Sequence, residues 1–433
     1  MSKELDFAKE LIDFIYDSPT AYHAVESSVR ILKANGFTEL KEEAAWKLKR
    51  GGKYFTVKNN SALIAFVMGS GPVQEEGFRI IGAHTDAPTF RVKPAAEMTA
   101  ESHYIKLDTE TYDGPILNTW LDRPLSAAGR VTLRGDNPFN PITRLVNIKK
   151  PILIIPNLAV HLNHSVNTGM ELNKQKDMLP LMALVNESLE KGNYLLNAIA
   201  GEIKVNPSDI IDFDLFLYEF EKGTIIGLND EFISSPRLDD LAMVHAGIIA
   251  IAGSEASRRT NVMVCFDNEE VGSSTKQGAD SPMLSNILER IVLTNGGSRE
   301  DFFRAISKSF MISGDMAHAV HPNAGERHDP QNRPLISKGP VIKVSANMRY
   351  TSDSNSSSVY VQICEKAKVP VQWFVNRSDE KGGSTIGPIS ASHINVRCVD
   401  IGTPVLAMHS VRELGGVLDH TYVTRSFEEF YKL

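Results

Sequence analysis

The sequence predicts an α/β fold in which a mixed sheet is covered by helices on both faces and a β-rich domain is inserted. Helical and strand patterns alternate before residue 93 and after residue 232, which favours a sheet covered on both faces. Between residues 93 and 232, short β-type runs alternate with turn signals instead. The 433 residues also exceed the length at which one core stops growing. We therefore predict a discontinuous domain of residues 1–92 and 233–433, interrupted by an inserted β-rich domain of residues 93–232.

The segment before the insertion contains two predicted helices and two predicted strands. An apolar stripe indicates a helix over Lys3–Tyr16. Ser18-Pro19 is typical of an N-cap followed by proline at the first helical position, so a second helix is predicted to run from there to about Asn35. Strands are predicted at Val57–Met68 and Phe78–His84.

The inserted segment is predicted to be mainly β-structure, with two helical exceptions. Its predicted strands are Tyr104–Leu107, Ile116–Trp120, Gly129–Leu133, Ile152–Ile155 and Ile210–Tyr218. The predicted helices are Leu179–Lys191 and Tyr194–Ile199.

After the insertion the sequence again alternates between helices and strands. The predicted helices are Asp239–Ala252, Ser281–Thr294 and Asn355–Lys368. The predicted strands are Asn261–Phe266, Phe310–Ser313, Val341–Ser345, Val371–Phe374 and Val405–Met408.

The composition excludes several classes of function. A net charge of −7 argues against a nucleic-acid partner or an anionic membrane surface. No apolar run reaches the length of a membrane span, and acidic residues interrupt the amino terminus where a secretory leader would be apolar. The cysteines are Cys265, Cys364 and Cys398, without metal-ligand spacing, which predicts a cytoplasmic protein without a disulfide framework. A metal site must therefore use His, Asp and Glu.

The adjacent carboxylates Glu269 and Glu270 follow a predicted buried strand. Ligands bind outside the carboxyl ends of strands in open α/β sheets, so these acids are candidates for a site. Adjacent residues of an extended segment point in different directions. One glutamate can then bind a metal while the other faces a reacting water. The ordinary alternative is a solvated acidic turn.

Four further segments place acids or histidines at predicted strand or helix ends. His84 and Asp86 follow one strand, with His84 suited to bind a metal and Asp86 to orient its imidazole. Asp239 begins a helix, while Asp315 and His409 follow strands. Each alone is more often a cap or a hydrogen-bonded loop residue. Together with the acid pair, they offer nitrogen and oxygen ligands that suit zinc, manganese or cobalt in a hydrolytic site. Two metals can share these ligands if one carboxylate bridges.

Several motifs in order resemble the aspartyl aminopeptidase family of two-zinc exopeptidases. They are His84-Thr-Asp86, Pro236-Arg-Leu-Asp239, Asp267-Asn-Glu-Glu-Val-Gly272, Ser313-Gly-Asp315 with the residues to Asn323, Lys338–Lys343, Gly383–Pro388 and Met408-His-Ser-Val-Arg-Glu413. The resemblance extends over nearly the whole chain. It implies a zinc-peptidase-like catalytic domain at residues 1–92 and 233–433. It also implies that the insertion is a dimerisation or oligomerisation domain within a tetrahedral dodecamer.

The resemblance also implies two zinc ions per subunit, for which manganese or cobalt can substitute. The implied ligands of the first ion are His84, Asp239 and Asp315. Those of the second are Asp239, which bridges, Glu270 and His409. Glu269 would be the general base, and Asp86 would contact His84. The implied activity removes amino-terminal residues from peptides, preferably Asp or Glu.

Two residues bear on the substrate. Lys343 matches the family lysine near the side-chain pocket, where an ammonium favours acidic residues; its alternative is a surface charge. His161 matches a family histidine that reaches a neighbouring subunit's active site, and we favour substrate contact over metal ligation. A preference for neutral residues such as Leu, a two-metal deacylase, and an assembly protein with structural metals remain alternatives. Glu269 argues against the last, because it binds no metal in this scheme.

Overall fold

The computed structural model describes residues 2–185 and 193–433, and the chain divides into two compact units. The first unit comprises Met1–Asp86, Gly223–Met408 and Glu413–Leu433. The second unit comprises Ala87–Lys222 and His409–Arg412. The second unit therefore includes residues 87–92 and 409–412, which were predicted to belong to the discontinuous domain. Residues 223–232, predicted to belong to the insertion, lie in the first unit. The catalytic and oligomerisation roles of the two domains stay predictions.

Helices and strands alternate along most of the chain. The helices are α1 (Ser2–Tyr16), α2 (Ala21–Ala34), α3 (Val73–Glu76), α4 (Tyr194–Ile203), α5 (Leu238–Ala252), α6 (Met283–Thr294), α7 (Arg299–Ser307), α8 (Ser354–Ala367), α9 (Ile386–Ile394) and α10 (Val417–Lys432). The strands are β1 (Thr38–Glu39), β2 (Lys53–Lys58), β3 (Ala62–Val67), β4 (Phe78–His84), β5 (Thr89–Ala100), β6 (Tyr104–Tyr112), β7 (Leu125–Leu133), β8 (Ile142–Asn147), β9 (Leu181–Leu184), β10 (Ile210–Glu219), β11 (Thr224–Ile226), β12 (Phe232–Ser235), β13 (Thr260–Phe266), β14 (Phe310–Gly314), β15 (Ala317–His318), β16 (Val341–Val344), β17 (Gln372–Val375), β18 (Arg397–Gly402), β19 (Pro404–Leu406) and β20 (Glu413–Gly416).

The first unit is built on a nine-stranded mixed sheet with the order β1-β2-β3-β13-β4-β14-β18-β16-β17. Its four central strands, β13, β4, β14 and β18, are mutually parallel. Successive residues such as Ile80 and Ile81 point to opposite faces, and each joins a different apolar core. Helices α1, α2, α5, α8 and α10 contribute to one core, and α6, α7 and α9 to the other. The predicted sheet with helices on both faces is confirmed.

The remaining strands form two further sheets. A five-stranded sheet of the first unit has the order β11-β12-β20-β19-β15. The second unit contains a six-stranded antiparallel sheet, β8-β7-β10-β5-β6-β9, with its own apolar core. The β-rich character predicted for the inserted segment is therefore confirmed.

Some predicted elements are wrong in detail. Val57–Met68 contains the end of β2 and all of β3, because Asn59 and Asn60 take positive φ angles and turn the chain. The N-cap of α2 is Thr20 rather than Ser18, and its hydroxyl meets the ring of His23 at 2.8 Å.

The predicted apolar runs of the insertion also differ. Most of Ile116–Trp120 forms a short 3-10 helix, and Ile152–Ile155 makes only isolated bridges. The start of Leu179–Lys191 is strand β9, because Leu181 pairs with Lys106 in the sheet. The rest of that predicted helix, from residue 186, lies outside the described residues. Short apolar runs do not distinguish helix from strand by periodicity alone.

A transmembrane helix needs both sufficient length and a continuous apolar character. Within residues 2–185 and 193–433, no helix combines the two.

Candidate metal centre

Three neighbouring parallel strands bring their carboxyl ends together in the first unit. His84 is the last residue of β4 and is paired in register with Phe266, the last residue of β13. Asp315 directly follows β14, which lies on the other side of β4. The carboxyl edge of such a sheet is the usual position of a ligand site. The predicted site residues on these strand ends therefore lie at one edge.

The buried imidazole of His84 lies among three aspartates. Its Nε2 is 3.4 Å from Asp239 Oδ1, 3.9 Å from Asp315 Oδ1 and 4.0 Å from Asp240 Oδ2. One ligand atom from each of these four residues lies within 4.8 Å of all the others, and all four side chains are buried. His84 also forms such a group with Glu269 and Glu270.

Two acids that were not predicted as site residues hold this cluster in place. Asp240 accepts a hydrogen bond from the main-chain N–H of His84 at 3.0 Å. Glu413 accepts one from the main-chain N–H of Asp239 at 2.9 Å, and both of these added acids are buried. Asp239 and Asp240 have non-helical backbone angles at the start of α5. In the sequence, these two acids are indicated only by their positions. Asp240 directly follows Asp239, and Glu413 ends the Met408–Glu413 motif.

Asp86 connects the histidine to the acid pair. Its main-chain oxygen lies 3.1 Å from His84 Nδ1 and its Oδ1 lies 3.4 Å from the same nitrogen. The Oδ1 also accepts the main-chain N–H of Glu269 at 3.1 Å. Its Oδ2 accepts the main-chain N–H of Glu270 at 3.1 Å. Asp86 therefore orients the imidazole through its main-chain oxygen and carboxylate, and it orients the short 3-10 helix Glu269–Val271 through the carboxylate.

Burial and mutual repulsion change the protonation of these acids. Burial, opposed by His84 and reinforced by neighbouring carboxylates, raises the pKa of Glu269 to about 8. Burial and the charge of Asp239 raise the pKa of Glu270 well above its ordinary range. For His84, burial lowers the pKa, but the adjacent carboxylates more than compensate and raise it. The centre therefore holds more negative charge than its surroundings neutralise.

The donor set fits a divalent cation. One imidazole nitrogen and several buried carboxylate oxygens are the ligands that zinc takes in hydrolytic sites. Among the described residues, Asp240 Oδ1 is buried without a hydrogen-bond partner. A cation would stabilise both that oxygen and the crowded negative charge.

Lys343 is buried beside this centre. Its Nζ lies 3.2 Å from Asp315 Oδ2 and donates to the main-chain oxygen of Met316 at 3.1 Å. It also lies 5.3 Å from the centre of the Tyr350 ring. Burial alone would lower the pKa of this ammonium, but the charges of Asp315, Tyr350 and Asp400 raise it above its usual value. Lys343 is therefore a buried, charged neighbour of the centre and not a surface charge.

The other two predicted site residues belong to the second unit. His409 has Nδ1 3.3 Å from Asp113 Oδ2, and its carbonyl oxygen accepts the N–H of Ile116 at 2.9 Å. His409 does not directly follow a strand, because β19 ends at Leu406 and not at Met408 as predicted. His161 is exposed on a turn. The roles of both histidines stay predictions.

An ion cluster around the buried Glu219 carboxylate holds the His409–Arg412 segment in the second unit. Arg412 Nη2 lies 2.9 Å from Glu219 Oε2, and Arg123 Nη1 lies 3.0 Å from Glu219 Oε1. The Glu219 side chain is fully buried. Val411 belongs to the apolar core of this unit, and its N–H donates to Thr119 Oγ1 at 3.0 Å.

The fold and the centre together define an α/β enzyme of the metal-dependent hydrolase class. The family described as Aminopeptidase I zinc metalloprotease (M18) matches residues 14–431. The chain therefore belongs to the M18 family of zinc metalloaminopeptidases, which includes aspartyl aminopeptidase.

Relatives and solved structures agree with this assignment. The chain is 64% identical over 433 residues to the probable M18 family aminopeptidase 2 of Clostridium novyi (strain NT), with all of both chains covered. It is similar to a chain of the Ape4 and Nbr1 complex, with 38% identity and a TM-score of 0.95, over 99% of this chain and 86% of that one. It is also similar to the S. cerevisiae mApe1 dodecamer, with 28% identity and a TM-score of 0.87, over 100% and 97% of the two chains. The resemblance found from the motifs is confirmed, as is metal-dependent aminopeptidase activity.

Proposed function

We propose that this aminopeptidase removes amino-terminal Asp and Glu in preference to neutral residues, with two zinc ions per subunit and Glu269 as general base. The observation that carries the proposal is the buried ammonium of Lys343, 3.2 Å from Asp315 in the metal centre. An aminopeptidase that discriminates against neutral residues needs a fixed cation near its reacting atoms, because the overall charge of −7 repels acidic peptides.

The first zinc would be held by His84, Asp239 and Asp315, whose ligand atoms already converge. The second would be held by Asp239, Glu270 and His409, with Asp239 shared; the part of His409 rests on the family motif. Bound zinc supplies an acidified water and a polarised scissile carbonyl. Manganese or cobalt would substitute, because both accept the same imidazole and carboxylate ligands.

Glu269 is the residue best suited to move the proton. Without a bound cation, burial raises its pKa to about 8. Zinc bound beside it would lower that pKa toward neutral, where general bases are most effective. Glu269 takes the proton from the attacking water and later delivers it to the leaving amine. Asp86 fixes the main chain of Glu269 at 3.1 Å and thereby sets the direction of the carboxylate.

Lys343 would select the substrate through charge. A carboxylate side chain of a substrate near this ammonium would form a charge-assisted hydrogen bond, which is roughly twice as strong as a neutral one.

The second unit would assemble the subunits into a homo-oligomer, which we expect to be a tetrahedral dodecamer. Leu158, Val160 and Leu162 are each more than half exposed and surround His161, as at an interface. The similar S. cerevisiae mApe1 was solved as a dodecamer. His161 would contact substrate in a neighbouring subunit. Light scattering should give twelve subunits, and mixing His161→Ala with Glu269→Gln subunits should restore part of the activity. An active monomer would overturn this assignment.

The decisive experiment measures hydrolysis of aminoacyl amides by the zinc-loaded protein. Aspartyl and asparaginyl amides form the best pair, because they differ in charge and hardly in shape. Aspartyl amide should be cleaved at least tenfold faster, chelation should abolish both activities, and zinc, manganese or cobalt should restore them. N-acetyl-aspartyl amide should resist cleavage, because an aminopeptidase needs a free amine. Equal rates on the matched pair would disprove the acidic preference, and one ion in fully active protein would disprove the two-zinc scheme.

A further inference from the structure

A cavity of about 330 Å³ lies in the first unit at the opposite edge of the sheet from the metal centre. It is lined at the amino-terminal ends of β4, β14 and β18 and by residues of α8 and α10. Four of its side chains are basic and none is acidic. The basic residues are Arg79, Arg259, Lys366 and Arg397.

The register of the sheet explains why the arginines converge. Phe310, the first residue of β14, is paired with Arg79 of β4 on one side and with Arg397 of β18 on the other. Residues in register on parallel strands point to the same face, so two guanidinium groups flank one aromatic ring. The Arg397 guanidinium lies 5.7 Å from the centre of that ring. Arg259 directly precedes β13, the next strand of the sheet.

The positive charge of this cavity is only partly balanced by nearby acids. Within the described parts of the chain, none of the four basic residues forms an ion pair with a carboxylate side chain. Arg259 donates to an oxygen of Leu433, the last of the 433 residues and part of the cavity lining, while its Nε is buried without an acceptor among the described residues. Glu76, an acid close enough to act on Arg79, is already paired with Arg258 at 2.6 Å. Asp353 is close enough to act on Arg397. Burial and the charges of Arg259 and Arg397 lower the pKa of Arg79 to about 10.

We propose that this cavity is a binding site for a phosphate group, either free phosphate or a small phosphate monoester. Guanidinium groups match phosphate oxygens in pairs, and a dianion would relieve the repulsion among the four cations. The apolar walls formed by Phe310 and Phe430 leave room for a small apolar substituent. Arg79 lies about 16 Å along β4 from His84, at about 3.3 Å per residue. The site is therefore separate from the metal centre.

The first test titrates inorganic phosphate into the zinc-loaded protein by calorimetry at constant ionic strength. Arg397→Gln and Arg79→Gln should each weaken binding about tenfold or more, because each removes charge-assisted hydrogen bonds. Arg299→Gln is the matched control, since that side chain is 73% exposed and lies outside the cavity. The control should bind like the wild type. Unchanged binding in both cavity variants would assign the phosphate to another site and overturn the proposal.

A second test needs no variant. Phenylglyoxal modifies accessible arginines of the wild-type protein, and peptide mass mapping locates the products. Phosphate should slow modification of Arg397 and leave Arg299 unchanged. Phenyl phosphate should protect Arg397 at a lower concentration than inorganic phosphate if the apolar walls bind its ring, which identifies a monoester as the preferred source. Equal modification of Arg397 with and without either probe would refute the proposal.

Discussion

Replacing Lys343 by methionine tests two roles of this residue separately. One is to stabilise the buried carboxylate of Asp315, and the other is to select acidic substrates. The variant retains most of the aliphatic volume but removes the ammonium that lies 3.2 Å from Asp315 Oδ2. Both side chains are buried, so Asp315 would keep a buried charge without its partner. Breaking such a pair typically costs about 3–5 kcal/mol. We expect the metal-free protein to lose stability of this order, measured by urea unfolding in the presence of chelator.

The same substitution should change selectivity. Removing one partner of a desolvated ion pair costs about 2–5 kcal/mol, so kcat/KM for aspartyl amide should fall by about thirtyfold or more. The asparaginyl amide should lose much less, because it makes no ion pair with Lys343. Lys343→Arg is the control that keeps the charge and should preserve part of the ratio.

The assay reports kcat/KM for both amides together with the zinc content of each variant. An equal loss on both amides with normal zinc would show that Lys343 acts only through Asp315, and the proposed pocket would be wrong. If the free energy of unfolding of metal-free Lys343→Met equals that of the wild type, Lys343 does not stabilise the buried Asp315 carboxylate.

Three other perturbations follow from the geometry. Glu269→Gln should keep zinc and fold but lower kcat by about 10²–10⁴-fold; near-normal turnover with bound zinc would place the base elsewhere. His245 and His420 are buried 2.9 Å apart, and burial lowers the pKa of His245 to about 3. Below about pH 6.5 the unfolded chain therefore binds protons that the folded chain does not. The free energy of unfolding should fall as pH falls, by up to about 1.4 kcal/mol per pH unit for each histidine. If His245→Phe leaves this pH dependence of stability unchanged, the reasoning is wrong. Glu219→Gln should weaken the hold on Arg412, which keeps its hydrogen bonds to the main-chain oxygens of Glu221 and Lys222. If His409 holds the second zinc as proposed, metal analysis should then show less than two ions per subunit; full zinc content would exclude this positioning role.

The positions of several site residues follow from simple sheet geometry. A strand pattern predicts where β4, β13 and β14 end, and parallel strands bring those ends together. The amino-acid sequence alone therefore predicts His84, Asp315 and Glu269 at strand ends, and the observed strand order β13-β4-β14 makes them neighbours. The family motifs add a role for each, which strand patterns do not give.

Other features depend on contacts that no local pattern encodes. Asp240 accepts the N–H of His84, 156 residues away, and Glu413 accepts that of Asp239, 174 residues away. The burial of Lys343 beside Asp315 likewise depends on the packing of β16 against its neighbours. The motif Met408–Glu413 contains no break in its sequence, yet four of its residues belong to the second unit.

Because His409–Arg412 belong to the second unit, that unit cannot be removed as a single piece of chain. In the sequence, the larger segment Ala87–Lys222 could be deleted between Asp86 and Gly223. Excision would leave Arg412 without its buried carboxylate and Val411 without the apolar core in which it lies. Transfer of the second unit to another protein must therefore include both Ala87–Lys222 and His409–Arg412. Genetic removal of the larger piece alone should yield a misfolded remnant and not a minimal peptidase.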